Sequence, residues 1–262
     1  MQTANTSAKK KLLLIDDEKN FPKTIAEVIG YFFPDIEVLS AHNGLVGCDK
    51  AEKTLPDLIL MNYKMPMLDG IDATIRLKEQ KSTKHIPVIM HSGYPPYSIP
   101  TFPYELFEDF ISLPLDLTRL ITTVNLWFGY TQKPRILMVG YEPLDLIGIL
   151  TNNYFANYEK LLTKNNISMF CTQYLEFVIK FCKKYSPDAV FIRSNSGQYM
   201  QLANDIRNQL PALDIKIFIT SAEKNNYVNH SLKTINFAFI LEKDIAKKID
   251  ELPVTISKAI EY

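Results

Sequence analysis

A chain of 262 residues, 47% hydrophobic and 22% charged, suits a folded soluble protein of one large or two medium domains. Its 29 basic and 29 acidic side chains cancel, which removes the excess of Lys and Arg on which binding to nucleic acid or an anionic membrane rests. No apolar run approaches the ~20 residues of a membrane span, and Cys48, Cys171 and Cys182 fit neither a zinc pattern nor a disulfide framework. Three buried, reduced thiols and a cytoplasmic location are the expectation.

The opening MQTANTSAKK is polar and basic without a signal-peptide core, so residues 1–10 are expected to form a flexible tail. KLLLID then reads as a short apolar strand of the kind covered on both faces of a parallel sheet. A helical stretch from Phe21 to Phe33 follows, closed by Pro34. Next come IEVLSA as a strand, Leu45–Thr54 as a helix, DLILMN as a strand and Ile71–Lys81 as a helix. IPVIMHS and DFISL supply the fourth and fifth strands. Leu117, Leu120, Ile121, Val124 and Phe128 set a closing helix by their spacing. Five strands alternating with helices predict an α/β fold, a doubly wound five-stranded parallel sheet.

One unit departs from this rhythm. Gly93–Phe107 should hold the fourth helix, yet it contains Pro95, Pro96, Pro100 and Pro103. Proline inside a helix costs ~3 kcal/mol, so a loop with one or two short turns is expected.

After a linker at 131–134 the pattern restarts. RILMVG repeats KLLLID, PDAVFIRS repeats PDLILMNY, IKIFITSA repeats IPVIMHSG, and FAFILEKD repeats FEDFISLP, at an offset of roughly 130 residues. A tandem is predicted, with domains at 11–130 and 135–262, the second ending in a helix from Lys243 to Ile260.

In such sheets ligands sit outside the carboxyl ends of the strands, where strand order reverses. The first half places Asp16, Asp17, Asn62, Ser92 and Leu113 there. These residues, with IDDE, LILMNYKMPMLDG, IMHS and FISLP in order, resemble the CheY-like receiver domain of two-component response regulators, a flavodoxin-like fold. The M-P-x-x-D-G run at Met65–Gly70 is the most specific part of the likeness. The resemblance implies an acidic pair that holds magnesium (Asp16, Asp17), a hydroxyl that binds phosphate (Ser92) and an aromatic switch position (Phe110). It also implies an aspartate that accepts a phosphoryl group and a lysine that contacts it. This chain has Asn62 and Leu113 at those two places.

Phosphoryl transfer needs an anionic oxygen as nucleophile, and an amide oxygen is neutral. Asn62 is therefore expected to be an inactive acceptor. A lysine beside a neutral amide would be an unpaired, partly desolvated charge, so the two exchanges read as one coupled loss. Two readings of Asp16 and Asp17 stand: a weak magnesium site completed by the Asn62 amide oxygen or water, or caps for the following turn and helix.

The second half carries Gly140 and Tyr141 in place of the acidic pair and Arg193 at the acceptor position. Ser221 and Lys243 take the hydroxyl and lysine places. Glu142 or Glu242 is expected to neutralise Arg193, so that a guanidinium replaces the metal; the rival reading is an anion site of Arg193, Lys243 and Ser221. His42, His85, His91 and His230 lack metal-ligand spacing, and His91, before Ser92 at the crevice rim, is expected to be solvated or packed. No G-x-G-x-x-G, no P-loop and no helix-turn-helix appears.

The function expected is a non-enzymatic, phosphorylation-independent regulator of the response-regulator type. Its partners would be other signalling proteins such as a kinase, regulator or effector, with no direct nucleic acid, no membrane and a homodimer compatible. No cofactor is expected beyond a weak magnesium site in the first domain. Trp127, Phe128 and Tyr130 are candidate interface anchors if exposed; the alternative is that they pack against the second half. A small-molecule or anion sensor using the second crevice, and a conventional phosphorylated regulator, are the alternatives.

Overall fold

The computed structural model describes residues 9–115, 117–130, 136–140, 169–172, 174–193, 197–221 and 238–241. The chain divides into two units, Met1–Phe128 and Gly129–Tyr262.

In the first unit the strands are β1 (Lys10–Ile15), β2 (Ile36–Ala41), β3 (Leu58–Asn62), β4 (Val88–Ser92) and β5 (Asp109–Ser112). They form one parallel sheet in the order β2-β1-β3-β4-β5. The helices are α1 (Phe21–Phe32), α2 (Gly44–Thr54), α3 (Gly70–Glu79) and α4 (Leu117–Trp127). β1 starts one residue earlier than the apolar run suggests, because Lys10 pairs with Ile36 and its Nζ donates to the Phe128 carbonyl at 2.7 Å.

The apolar runs behave as covered strands should. Leu12 to Ile15 and Val88 to Met90 are fully buried, and α1 turns Ile25 and Ile29 inward. α2 begins where the Asn43 side chain accepts from the Val46 N–H at 2.9 Å, and α3 where Asp69 accepts from Ile71 and Asp72. The strand-to-helix loops approach closely. A side chain at Gly44 would strike the Leu68 carbonyl, and one at Gly70 would strike the carbonyl of Asn62 itself.

The proline-rich segment forms two single turns of 3-10 helix, Pro96–Ser98 and Tyr104–Leu106. Ile99, Phe102 and Phe107 are buried from it. Phe102 stacks on Phe107 at 5.2 Å and meets Phe110 edge-on at 6.4 Å. These rings form an aromatic cluster between the proline-rich segment and β5.

Of the candidate interface aromatics, Phe128 is buried and so is not an exposed anchor, while Trp127 and Tyr130 are half-buried. The α4 pattern that faces Leu120 and Val124 to the core carries Phe128 with it. The large apolar side chains left exposed include Met67, Tyr94 and Tyr97 in the loops after β3 and β4, and Tyr31 and Phe32 at the end of α1.

The second unit contains β6 (Ile136–Val139), β7 (Met169–Thr172), β8 (Ala189–Arg193), β9 (Lys216–Ser221) and β10 (Ala238–Leu241). They form a parallel sheet in the order β10-β9-β8-β6-β7. Its described helices are α5 (Glu176–Tyr185), which buries Phe177, Val178 and Cys182, and α6 (Gly197–Gln209). The tail at 1–8, the linker at 131–134 and the expected helix at Lys243–Ile260 lie outside the described residues.

Candidate functional site

The first sheet reverses its order between β1 and β3, and the crevice opens at their carboxyl ends. Asp16 and Asp17 leave β1 there, Asn62 ends β3 and Ser92 ends β4. The structure brings them together as the spacing suggests. Asp16 is buried; its N–H donates to the Ala41 carbonyl at 2.9 Å and its Oδ1 accepts from the Glu18 N–H at 2.7 Å. Asp16 therefore closes the turn before α1. The cap position of α1 itself is Asn20, without a side-chain bond, so the helix-capping role expected of the pair stops at that turn.

Asn62 supplies the relationship that the sequence hides. Its Nδ2 donates to Asp17 Oδ1 at 3.0 Å and to the Lys64 carbonyl at 3.2 Å. Both neighbours are acceptors, which fixes the amide with its donor, not its oxygen, toward the acidic pair. A magnesium shell is built from oxygens, and an N–H facing Asp17 has the wrong polarity for one. Among the described residues no three His, Cys, Asp or Glu side chains group as a metal site.

Ser92 is buried, and its Oγ accepts from the Tyr94 N–H at 3.1 Å. Leu113 is half-buried, and its N–H donates to the Ser92 carbonyl at 2.9 Å. Phe110 is buried in the aromatic cluster. At the mouth, the Lys64 ammonium lies 5.1 Å from the Tyr94 ring and 5.9 Å from the Tyr63 ring, a cation–π arrangement on two aromatics that meet edge-on.

His91 is not at a solvated rim. It is 1% exposed and stacks on Phe21 at 5.2 Å, with Nε2 3.6 Å from Asp16 Oδ2. Among the described residues neither ring nitrogen has a hydrogen-bond partner. Burial pushes the imidazole down to about 3 and the Asp16 carboxyl up to about 6. The glimpse available in the sequence was that a central parallel strand is covered on both faces, so a histidine within VIMHS has no route to water. His42 and His85 are exposed and distant in sequence, and His230 lies outside the described residues.

Burial raises the thiols of Cys48 and Cys182 to about 11 and 12, which makes them poor nucleophiles. The Cys171 side chain is outside the description.

In the second unit Gly140 follows β6 with φ +82°. A Cβ there would lie 3.2 Å from Cβ of Arg193 and 3.1 Å from the Tyr199 ring, so the chain passes directly against the acceptor-equivalent position. Ser221 closes β9 in register with Leu241. Tyr141, Glu142, Glu242 and Lys243 lie outside the described residues, and with them the expected neutralisation of Arg193.

Residues 12–125 match the response regulator receiver domain family. The polar-differentiation response regulator DivK of Brucella anthropi is 30% identical over 132 residues, covering 46% of this chain and 97% of that protein. A protein-glutamate methylesterase/protein-glutamine glutaminase of Saccharophagus degradans is 39% identical over 84 residues, 32% of this chain and 22% of that enzyme. Among solved structures, the chemotaxis protein CheY4 of Vibrio cholerae covers 45% of this chain and 98% of its own at 20% identity, with a TM-score of 0.42. Through its first half, the chain belongs to the response regulator receiver family. Among the described residues, no helix is long and apolar enough to cross a membrane.

Proposed function

We propose that this receiver protein signals through contacts with other signalling proteins, without aspartyl phosphorylation and without catalysis of its own. The observation that carries the reading is the state of Asn62. The side chain at the acceptor position is a neutral amide whose N–H is tied to Asp17. Phosphoryl transfer to that position lacks its nucleophile, and Leu113 supplies no cation to steady the transferring group. Ser92 Oγ, the hydroxyl of the set, is already bonded to the Tyr94 N–H.

The second half is read as a divergent receiver-like domain. Its strands, taken as β7-β6-β8-β9-β10, lie in the same sequence-rank order as β2-β1-β3-β4-β5. Contacts with partners fall to loops such as those that expose Met67, Tyr94 and Tyr97, since Phe128 is buried.

Incubation of the full chain with a small acyl phosphate and magnesium, read by intact mass, tests the reading. No adduct is expected under conditions that label a receiver with an aspartate acceptor. A stoichiometric phosphoryl adduct would overturn it and restore the conventional mechanism.

A further inference from the structure

The acidic pair is retained although the acceptor and lysine are gone, and its geometry shows what now occupies it. Asp17 is exposed and its Oδ1 is bonded to Asn62 Nδ2 at 3.0 Å. Asp16 is buried, with Oδ1 on the Glu18 N–H and Oδ2 facing His91. A divalent cation entering between them would have to break the Asn62–Asp17 bond and meet the positive end of an amide dipole. Rotating the amide to offer its oxygen would set Oδ1 against the Lys64 carbonyl, which now accepts from Nδ2 at 3.2 Å. The crevice is therefore poised against a cation by a single functional group.

We infer that the Asn62 amide is an internal substitute for the divalent cation of this crevice, so that the wild-type protein binds none there and Asn62→Asp alone restores a cation site. This deepens the reading above, because it names the group that has taken the cation's place. Replacement of the donor by a carboxylate converts a satisfied hydrogen-bond pair into three convergent negative groups. Those repel one another unless a cation enters.

Calorimetric titration of the full chain with magnesium and with manganese chloride tests the inference, separately from any phosphodonor. Wild type is expected to give no saturable binding at millimolar cation. N62D is expected to bind both ions at least roughly tenfold more tightly than wild type, and adding Asp17→Asn to that variant should abolish the gain. Saturable binding by wild type at millimolar cation would overturn the inference, as would an N62D protein that is folded yet silent, or a gain that survives Asp17→Asn. If N62D does not fold, the wild-type protein answers alone. The Asn62 side-chain amide resonances should stay sharp on addition of paramagnetic manganese, and selective broadening would refute the substitution. A phosphoryl adduct would sink the proposed function, whereas cation binding by wild type would sink only this inference.

Discussion

Arg119 Nη2 on α4 stands 2.6 Å from Asp109 Oδ2 on β5, and both side chains are buried. Burial raises the Asp109 carboxyl from its ordinary range, and the guanidinium pulls it back. A buried pair of this kind adds little over an apolar pair, but half of one is costly. Arg119→Met should destabilise the first unit by about 3–5 kcal/mol by leaving the carboxylate without its cation. Urea unfolding followed through Trp127, the only tryptophan in the chain, reads this unit. A loss under about 1 kcal/mol would mean that water reaches Asp109 and the pair is not sealed.

The Asp16–His91 contact makes a prediction in pH. Asp16 titrates near 6 in the folded chain against 3.8 when unperturbed, so its burial penalty is absent at low pH and grows as pH rises through that window. His91 titrates near 3 against 6.5, so its penalty is absent at neutral pH and grows as pH falls. The two slopes oppose each other between about pH 4 and 6. Removing the imidazole should expose the difference. Relative to wild type, His91→Leu should gain about 3 kcal/mol of stability on going from pH 7 to pH 4. Denaturation curves at the two pH values suffice. No relative gain would mean that His91 is protonated in the fold and bonded to an ionised Asp16.

Much of the first unit was readable because its physics is local. The strand runs, the turn of Asp69 into α3 and the refusal of Gly93–Phe107 to form a helix follow from periodicity, caps and proline sterics. The meeting of Asp16, Asp17, Asn62 and Ser92 follows from strand ends alone. What stayed hidden depends on orientation. Nothing in the composition says that Asn62 turns its nitrogen toward Asp17, because that choice is made by the Lys64 carbonyl. Of the two readings of His91, solvated or packed, the two-sided burial of β4 selects the packed one. Residue type leaves Phe128 open between exposed anchor and packed side chain, and it is the helical spacing from Leu120 and Val124 that agrees with its burial.

Gly70 tests whether the acceptor loop is held by backbone packing. Its N–H donates to the Tyr63 carbonyl at 2.7 Å, and any Cβ would collide with the carbonyl of Asn62. Backbone cannot rotate away as a side chain can, so Gly70→Ala should cost more than about 2 kcal/mol. It should also displace Asn62, seen as a shift of the Asn62 side-chain amide resonances. A neutral substitution would show that the β3–α3 loop relaxes freely and that Asn62 is not fixed by it.

Met67 offers a prediction of opposite sign. It is exposed yet holds φ at +70°, a conformation that suits glycine, and its sulfur takes only a weak contact of 3.5 Å from Asn43 Nδ2. A left-handed backbone costs a side-chain-bearing residue roughly 1–2 kcal/mol. Glycine would relieve that and lose about 0.5–1 kcal/mol to its greater freedom in the unfolded chain. Met67→Gly should therefore stabilise the unit by about 0.5–1 kcal/mol, while Asn43 keeps its cap on Val46. The same variant removes an exposed apolar side chain beside the crevice, so capture of a signalling partner should weaken even as unfolding shifts to higher urea. Stability and binding moving apart would mark Met67 as a residue kept for contact; a variant that loses stability would show instead that the thioether holds the loop in place.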